Sequence, residues 1–199
     1  LCFLLFYKKI EKKYVNNVIV IGVLLFAQAI IGWYMVKSGL SERVDVSQYR
    51  LALHLTMAFI ILGLAFYTLV SYLLGNKLIN NNSIFIKKYK SLLIILFIFI
   101  CFQISYGAFV SGTHSGLLYN TWPLYNGNMV PSTENTQIRW LINFFENGHY
   151  IIFIHRTFAM IILLLLLYLN YSIIMNRKIN SYFSVIIFFN ITFVLQIVL

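Results

Sequence analysis

The stretch FIHRTFAM, residues 153–160, places a histidine and an arginine inside a long apolar run. It has a counterpart in LHLTMAFI, residues 53–60, and both stretches fit the pattern His-x-Thr-x-Ala. An arginine at the centre of a membrane helix costs roughly 2.5–3.5 kcal/mol on insertion scales, and less near the interface. A functional role for His155 and Arg156 is therefore expected, and the duplication indicates that His54 shares it.

The composition of the whole chain indicates the class of protein to which these stretches belong. Of the 199 residues, 61% are hydrophobic, 18% are aromatic and 10% are charged, and the mean hydropathy is +0.84. No ordinary soluble domain has this composition, so we predict an all-α, polytopic membrane helix bundle. Cys2 and Cys101 both lie in apolar runs, which favours neither a disulfide nor a metal site.

Five apolar segments are candidates for membrane spans, since a span needs about 20 residues. They cover about 15–37, 51–74, 91–112, 149–172 and a segment that starts near Tyr182. Residues 1–7 resemble the tail of a preceding span, and the fifth segment reaches Leu199 while still apolar. We therefore expect the chain to be the middle part of a longer protein.

The basic residues predict the orientation of these spans. Ten of them fall in the segments on one side of the predicted membrane: Lys8, Lys9, Lys12, Lys13, Lys77, Lys87, Lys88, Lys90, Arg177 and Lys178. By the positive-inside rule this side is cytoplasmic, so the net charge of +10 reflects topology and no nucleic-acid partner is expected. Segments 38–50 and 113–148 then lie on the outer side of the membrane. We expect this membrane to be a bacterial inner membrane or, as the alternative, a mitochondrial inner membrane.

The outer segment 113–148 is long and contains both prolines and two of the three tryptophans. Loops of this length are usually functional or disordered, and the aromatic content argues against disorder. We interpret it as a structured lid over an outward-facing site. The alternative is that its Trp and Tyr residues are only anchors at the membrane interface.

An internal repeat relates the first two spans to the next two. Gln-x-x-x-Gly occurs at Gln28–Gly32 and at Gln103–Gly107, and Ser-Gly-Leu follows each at 38–40 and 115–117. The His-x-Thr-x-Ala pattern then begins the following span in both cases, and Gln196 occupies the matching place in the fifth span. Duplicated helix units around internal sites are common in membrane proteins.

The two histidines lie at similar predicted depth, near the outer ends of their spans. Haem iron takes histidine as an axial ligand, and helix bundles place such ligands inward from facing helices. His54 and His155 are therefore candidate haem ligands. The alternative is that each only hydrogen-bonds a neighbouring helix, which matched contexts and accompanying arginines disfavour. His114 and His149, in or beside the outer loop, are expected to be interfacial.

Small residues and cations accompany each histidine. An alanine four residues further on shares its helix face, and a glycine near the end of the preceding span would also leave room for a flat macrocycle. Arginines near the outer boundary could reach haem propionates by snorkelling. The candidate haem-contacting residues are Gly32, Gly107, Ala58, Ala159, Arg50 and Arg156.

Four motifs in order resemble the heme A synthase family. They are GWYMVKSGL (32–40), VSQYRLALHL (46–55), YGAFVSG (106–112) with SGLLYNTWPL (115–124), and FEN (145–147) with FIHR (153–156). The resemblance runs from about residue 20 to 199. It implies eight membrane helices in two similar four-helix halves. Residues 1–90 would end the N-terminal, substrate-haem half, and residues 91–199 would form most of the C-terminal, cofactor-haem half.

The resemblance also implies a reaction, the oxidation of the C8 methyl of haem O to a formyl group, which gives haem A for terminal oxidases. It implies that His155 ligates the iron of a haem b cofactor, that His54 contacts the substrate haem iron, and that the partner histidine of each lies outside this chain. Haem O and membrane lipid are the implied partners, with haem O synthase or an electron donor as further candidates. Glu146 is a candidate for shaping the haem edge, and a plain interfacial acid is the alternative.

Two positions depart from the family pattern: Ile152 stands where a glutamine is usual, and His114 where many members carry an acidic or basic residue. Both bear on proton delivery and propionate contact. The residues alone leave two other functions open, a bis-histidine membrane cytochrome that only transfers electrons and a repeat-built transporter.

Overall fold

The computed structural model describes residues 12–37, 45–74, 83–131, 140–175 and 183–198. Its helices are α1 (Lys12–Lys37), α2 (Gln48–Leu74), α3 (Ser83–Gly112), α4 (Trp140–Glu146), α5 (Gly148–Ile174) and α6 (Phe183–Val198), with a 3₁₀ turn at Ser115–Leu117. The described residues contain no β-strand, so the all-α prediction is confirmed. The predicted tail at 1–7 and the Ser-Gly-Leu copy at 38–40 lie outside the described residues.

Four helices are long and apolar enough to cross a membrane, over Tyr14–Lys37, Gln48–Leu73, Lys88–Gly112 and Gly148–Ile174. They coincide with the first four predicted spans, and the fifth is helical over α6. Three helices start at least three residues before their apolar runs: α1 and α2 by three residues each and α3 by eight. Hydropathy marks the lipid boundary, whereas the backbone hydrogen bonds of a helix can continue through the polar residues beyond it.

The long helices pack in chain order, α1 on α2, α2 on α3 and α3 on α5, while α4 and α6 both contact α5. Buried apolar side chains form layers between α3 and α5, with Leu96, Ile162 and Leu166 in the middle of the bundle. Most other apolar side chains on these helices are exposed, as lipid-facing positions are. Helix pairs that are adjacent in sequence therefore form the units of the fold.

Polar side chains also join the helices within the apolar region. Thr56 Oγ1 lies 3.0 Å from Ser105 Oγ, between α2 and α3. Asn170 and Asn190 exchange two amide hydrogen bonds of 2.9 and 3.0 Å, between α5 and α6. Such bonds contribute roughly 0.6–2 kcal/mol each in membrane bundles.

The repeat extends to the inner end of the bundle, which the sequence motifs did not reveal. The hydroxyl of Tyr14 on α1 donates to the carbonyl oxygen of Ser71 on α2 at 2.9 Å. The hydroxyl of Tyr89 on α3 donates to that of Ser172 on α5 at 3.2 Å. Each tyrosine precedes the repeat glutamine of its helix by 14 residues, and each serine follows the repeat histidine of its helix by 17. The repeated unit is therefore a complete helix hairpin.

Gly112 permits a close approach of α3 to the start of α2, between the two units. A Cβ atom at this position would lie 2.9 Å from both Cα and Cβ of Gln48. Because one of these atoms is backbone, the contact cannot be relieved by a side-chain rotation. We expect Gly112→Ala to destabilise the protein by about 1–3 kcal/mol, the usual cost of overpacking.

Thermal unfolding of the full-length protein in detergent measures this effect. Gly63→Ala is the matched control, because a Cβ atom there meets nothing within 4 Å. Equal unfolding temperatures for the two variants would show that α2 and α3 do not approach as described.

Candidate functional site

His54 and His155 occupy equivalent places in their helices. His54 lies six residues after the start of α2 at Gln48, and His155 lies seven residues after the start of α5 at Gly148. At 1.5 Å per residue these positions are about 9 and 10 Å along the helix axis. Both side chains are partly buried. The two histidines therefore sit at matching registers of their helices.

Gln28 and Gly32 on α1 hold the imidazole of His54. The amide nitrogen of Gln28 lies 3.3 Å from Nε2 of His54 and donates to the carbonyl oxygen of His54 at 3.0 Å. A Cβ atom on Gly32 would lie 3.0 Å from Cε1 of the ring. The glutamine therefore contacts one side of the ring, and the glycine gives the ring room beside α1.

The same arrangement recurs around His155. The amide nitrogen of Gln103 on α3 lies 3.3 Å from Nε2 of His155, and a Cβ atom on Gly107 would lie 3.3 Å from Cε1. Sequence reasoning identified the Gln-x-x-x-Gly motif but gave the glutamine no role. The signal was present in the sequence, since both glutamines lie one turn before a glycine in a helix that precedes a histidine.

The four small residues that were predicted to leave room for a haem lie close to the two histidines. Gly32 and Gly107 lie against imidazole rings, so the space they leave is filled by histidine. Ala58 and Ala159 are partly buried one turn beyond the histidines, on the same helix faces. Contact of these four residues with a haem stays a prediction.

Each histidine site has unpaired polar atoms. Among the described residues, four buried atoms of these two sites have no hydrogen-bond partner: Gln28 Oε1, His54 Nδ1, Gln103 Oε1 and His155 Nδ1. A buried polar group without a partner costs about 1–3 kcal/mol. The same pair of unpaired atoms occurs in both units, so the two sites match in their polar atoms as well as in their residues.

Arg156 contacts the outer loop. Its guanidinium donates to the carbonyl oxygens of Thr121 at 2.9 Å, Tyr119 at 3.3 Å and Leu124 at 3.4 Å. It also lies 4.9 Å from the centre of the Tyr125 ring, a cation–π distance. A role of Arg156 toward a haem propionate stays a prediction, and its observed partners belong to the loop.

Arg50 makes a simpler contact at the other site. Its guanidinium donates to the carbonyl oxygen of Tyr34 at 3.0 Å and lies 3.7 Å from the centre of the same residue's ring. Tyr34 belongs to α1, so Arg50 joins α1 to α2 near their outer ends. Its propionate role also stays a prediction.

The described part of the outer loop is compact. Tyr119 and Tyr125 are buried and pack edge to face, together with Ile152 of α5. Burial raises the pKa of the Tyr125 phenol, and Arg156 opposes this effect. The hydroxyl of Tyr119 pairs with Nδ1 of His149 at 2.7 Å. These contacts hold the loop on the first turns of α5, and Ile152 supplies an apolar floor where the family pattern has glutamine.

Two further contacts join the start of α2 to the segments beyond α3. The Tyr49 hydroxyl donates to Oε1 of Glu146 at 3.2 Å, and Asp45 pairs with Nε2 of His114 at 3.2 Å. Glu146 is exposed at the end of α4, and His114 is also exposed. Neither contact includes His54 or His155, so both belong to the outer rim of the bundle.

We expect Arg156→Gln to release the loop. Hydrogen bonds to a charged group contribute about 1.5–3 kcal/mol, which corresponds to a roughly 10- to 150-fold change in an opening equilibrium. Amide hydrogen exchange of residues 118–131 in the full-length protein should accelerate by at least about tenfold. Arg50→Gln is the control, because Arg50 contacts Tyr34 and not this loop. Unchanged loop exchange in Arg156→Gln would contradict the anchoring role.

The residues at the two histidine sites suit the binding of a haem better than the binding of a metal ion held only by protein side chains. The described residues contain no group of three or more His, Cys, Asp or Glu side chains that could hold a metal ion. Each histidine is therefore a single imidazole donor, as haem iron accepts on one face of its porphyrin. Together, fold and site define a polytopic membrane helix bundle with repeated intramembrane histidine sites suited to haem.

Comparison with known proteins then assigns the family. The family described as cytochrome oxidase assembly protein, COX15-CtaA, matches residues 1–199, and the chain belongs to this family. A protein of Brucella ovis named heme A synthase is 43% identical over 138 residues, which cover 69% of this chain and 37% of that protein. A protein of the same name from Wolbachia pipientis wMel is 43% identical over 168 residues, 82% of this chain and 46% of that protein.

The chain therefore spans less than half the length of these curated relatives. No solved structure matches it. With four helices able to cross a membrane and relatives in bacteria, it is a multi-pass protein of the bacterial inner membrane.

Proposed function

We propose that the full protein containing this chain is a heme A synthase, which oxidises the C8 methyl of haem O to a formyl group. The observation that carries the proposal is the duplicated histidine site, in which Gln28 and Gln103 contact His54 and His155 at the same 3.3 Å. The family and the printed name of the relatives support it. A methyl oxidation on a macrocycle requires one site for the substrate and one for the cofactor, and two matched sites meet that requirement.

In this proposal His155 binds the iron of a haem b cofactor and His54 contacts the iron of the substrate haem. The bound cofactor would supply the redox chemistry, and the protein supplies ligation, orientation and electrostatics. Gly32 and Gly107 fix the imidazole positions from the preceding helices. Arg156, next to His155 in the chain, holds the outer loop through the carbonyl oxygens of Thr121 and Tyr119.

Conversion of haem O by the full-length protein tests this function. The protein is expressed with a haem O source, and the bound haems are identified by pyridine haemochrome spectra and chromatography. Haem A, or haem O hydroxylated at the C8 methyl, is the expected product. Haem b alone, with haem O supplied and left unconverted, would contradict the proposal.

The similarity of the two sites also favours a second candidate, a bis-histidine cytochrome that only transfers electrons. In such a protein two equivalent sites would hold the same haem. The conversion experiment separates the candidates, since a cytochrome of this kind would contain haem b at both sites and form no haem A.

A further inference from the structure

The amide orientation of Gln28 is fixed by its hydrogen bonds. The atom 3.0 Å from the carbonyl oxygen of His54 must be a donor, because an amide oxygen there would face another oxygen. This atom is therefore the side-chain nitrogen. The same nitrogen lies 3.3 Å from Nε2 of His54 and presents its second N–H group to the ring.

An N–H group directed at Nε2 determines where the ring proton lies. A neutral imidazole has one donor nitrogen and one acceptor nitrogen, so Nε2 must be the acceptor and Nδ1 must carry the proton. Nδ1 of His54 is buried and faces Gly32 of α1, 3.5 Å from the position that a Cβ atom there would take. Nε2 is therefore the unprotonated ring nitrogen, whose lone pair accepts the Gln28 N–H group and is the one that a metal ion would require.

The second site repeats the contact with Nε2 but, among the described residues, not the bond from the glutamine amide to the histidine carbonyl oxygen that orients Gln28. The side-chain nitrogen of Gln103 lies 3.3 Å from Nε2 of His155, while Nδ1 of His155 is buried beside Gly107. The amide oxygens of Gln28 and Gln103 are buried and unpaired within the described part of the chain. The contact between an amide nitrogen and Nε2 is the part present at both sites, and it indicates that the donor, and not only the size of the side chain, is required.

We propose that Gln28 and Gln103 are positioning residues that hold His54 and His155 in the tautomer able to bind iron through Nε2. Each amide N–H group caps the lone pair of Nε2, the atom that would bind haem iron. This inference rests on the proposed haem sites and adds the residues that prepare them. It identifies the glutamine of each repeated helix as functional.

Three variants at and beside one site test the proposal in the haem-free, full-length protein, titrated with ferric haem b. Gln103→Glu keeps the size of the side chain, but a carboxylate only accepts hydrogen bonds and so favours the Nε2–H tautomer. Gln103→Leu removes the donor without favouring either tautomer. Ser105→Ala is the control on α3, since Ser105 bonds Thr56 and Cys101 and not the histidine.

We expect Gln103→Glu to weaken haem b binding by about 10- to 100-fold, the range known for residues that orient metal ligands. Gln103→Leu should lose less, and Ser105→Ala should bind as the unmodified protein does. A purely steric role predicts the opposite order, with the leucine variant weaker than the isosteric glutamate variant. That order, or unchanged binding by Gln103→Glu, would overturn the proposal.

A spectroscopic measurement tests the tautomer without haem. In protein labelled with ¹⁵N-histidine, the His155 signals are assigned by their loss in His155→Ala. They should show a protonated Nδ1 and an unprotonated Nε2, and Gln103→Leu should reduce this preference. A protonated Nε2 in the unmodified protein would overturn the proposal. Failure of the proposed function would be seen separately, as haem O left unconverted by the unmodified full-length protein.

Discussion

Full-length protein carrying His155→Ala should be purified with little or no haem b. The imidazole of His155 is the only candidate iron ligand of its site in the described chain, and Gly107 and Gln103 position it on two sides. Substitution of a residue that only orients a metal ligand already lowers metal affinity by about 10- to 100-fold. Loss of the ligand itself should therefore lower the haem b content by at least about tenfold. Pyridine haemochrome spectra measured per mole of purified protein give this content.

The control for this variant is another histidine on the outer side. His114→Asn removes the pair with Asp45, and asparagine tolerates the left-handed backbone at this position, where φ is 53°. Its haem b content should equal that of the unmodified protein. Full retention of haem b by His155→Ala would show that the cofactor is held elsewhere.

His54→Ala should affect the substrate haem and leave the cofactor haem in place. The site of His54 is formed by α1 and α2, and that of His155 by α3 and α5, so no helix is shared between them. The variant should therefore keep its haem b. It should form no detectable haem A when haem O is supplied, because the substrate iron has lost its ligand from this chain.

Thr56→Ala is the control for His54→Ala. It removes a polar group two residues away and the bond to Ser105, and leaves Gln28 in contact with the histidine. Its conversion of haem O, measured by chromatography of the extracted haems, should stay close to that of the unmodified protein. Conversion by His54→Ala at the same rate would remove His54 from the substrate site.

The sequence was sufficient to predict the helices and the repeat, because both depend on local patterns. Apolar runs of the length of a membrane located four spans, and the boundaries shifted only where helices continue into polar residues, as α3 does through Lys88 and Lys90. The matched contexts of His54 and His155 predicted equivalent positions, and the structure places them within one residue of each other, six and seven residues from the starts of their helices.

The contacts of individual side chains could not be predicted in the same way. Gln28 and Gln103 acquire their role only when α1 faces α2 and α3 faces α5, and no spacing within one helix reveals that pairing. The partners of Arg156 are three carbonyl oxygens of a loop, whose direction depends on backbone conformation and not on residue type. The inner bonds from Tyr14 and Tyr89 end on backbone oxygens for the same reason.

The central claim is that His54 and His155 serve different haems in one protein. Its most direct test is the haem composition of full-length His54→Ala and His155→Ala, purified in parallel from cells that supply haem O and analysed by chromatography. We predict that His155→Ala lacks haem b, whereas His54→Ala retains haem b and lacks haem O and haem A. Loss of the same haem from both variants would contradict the claim.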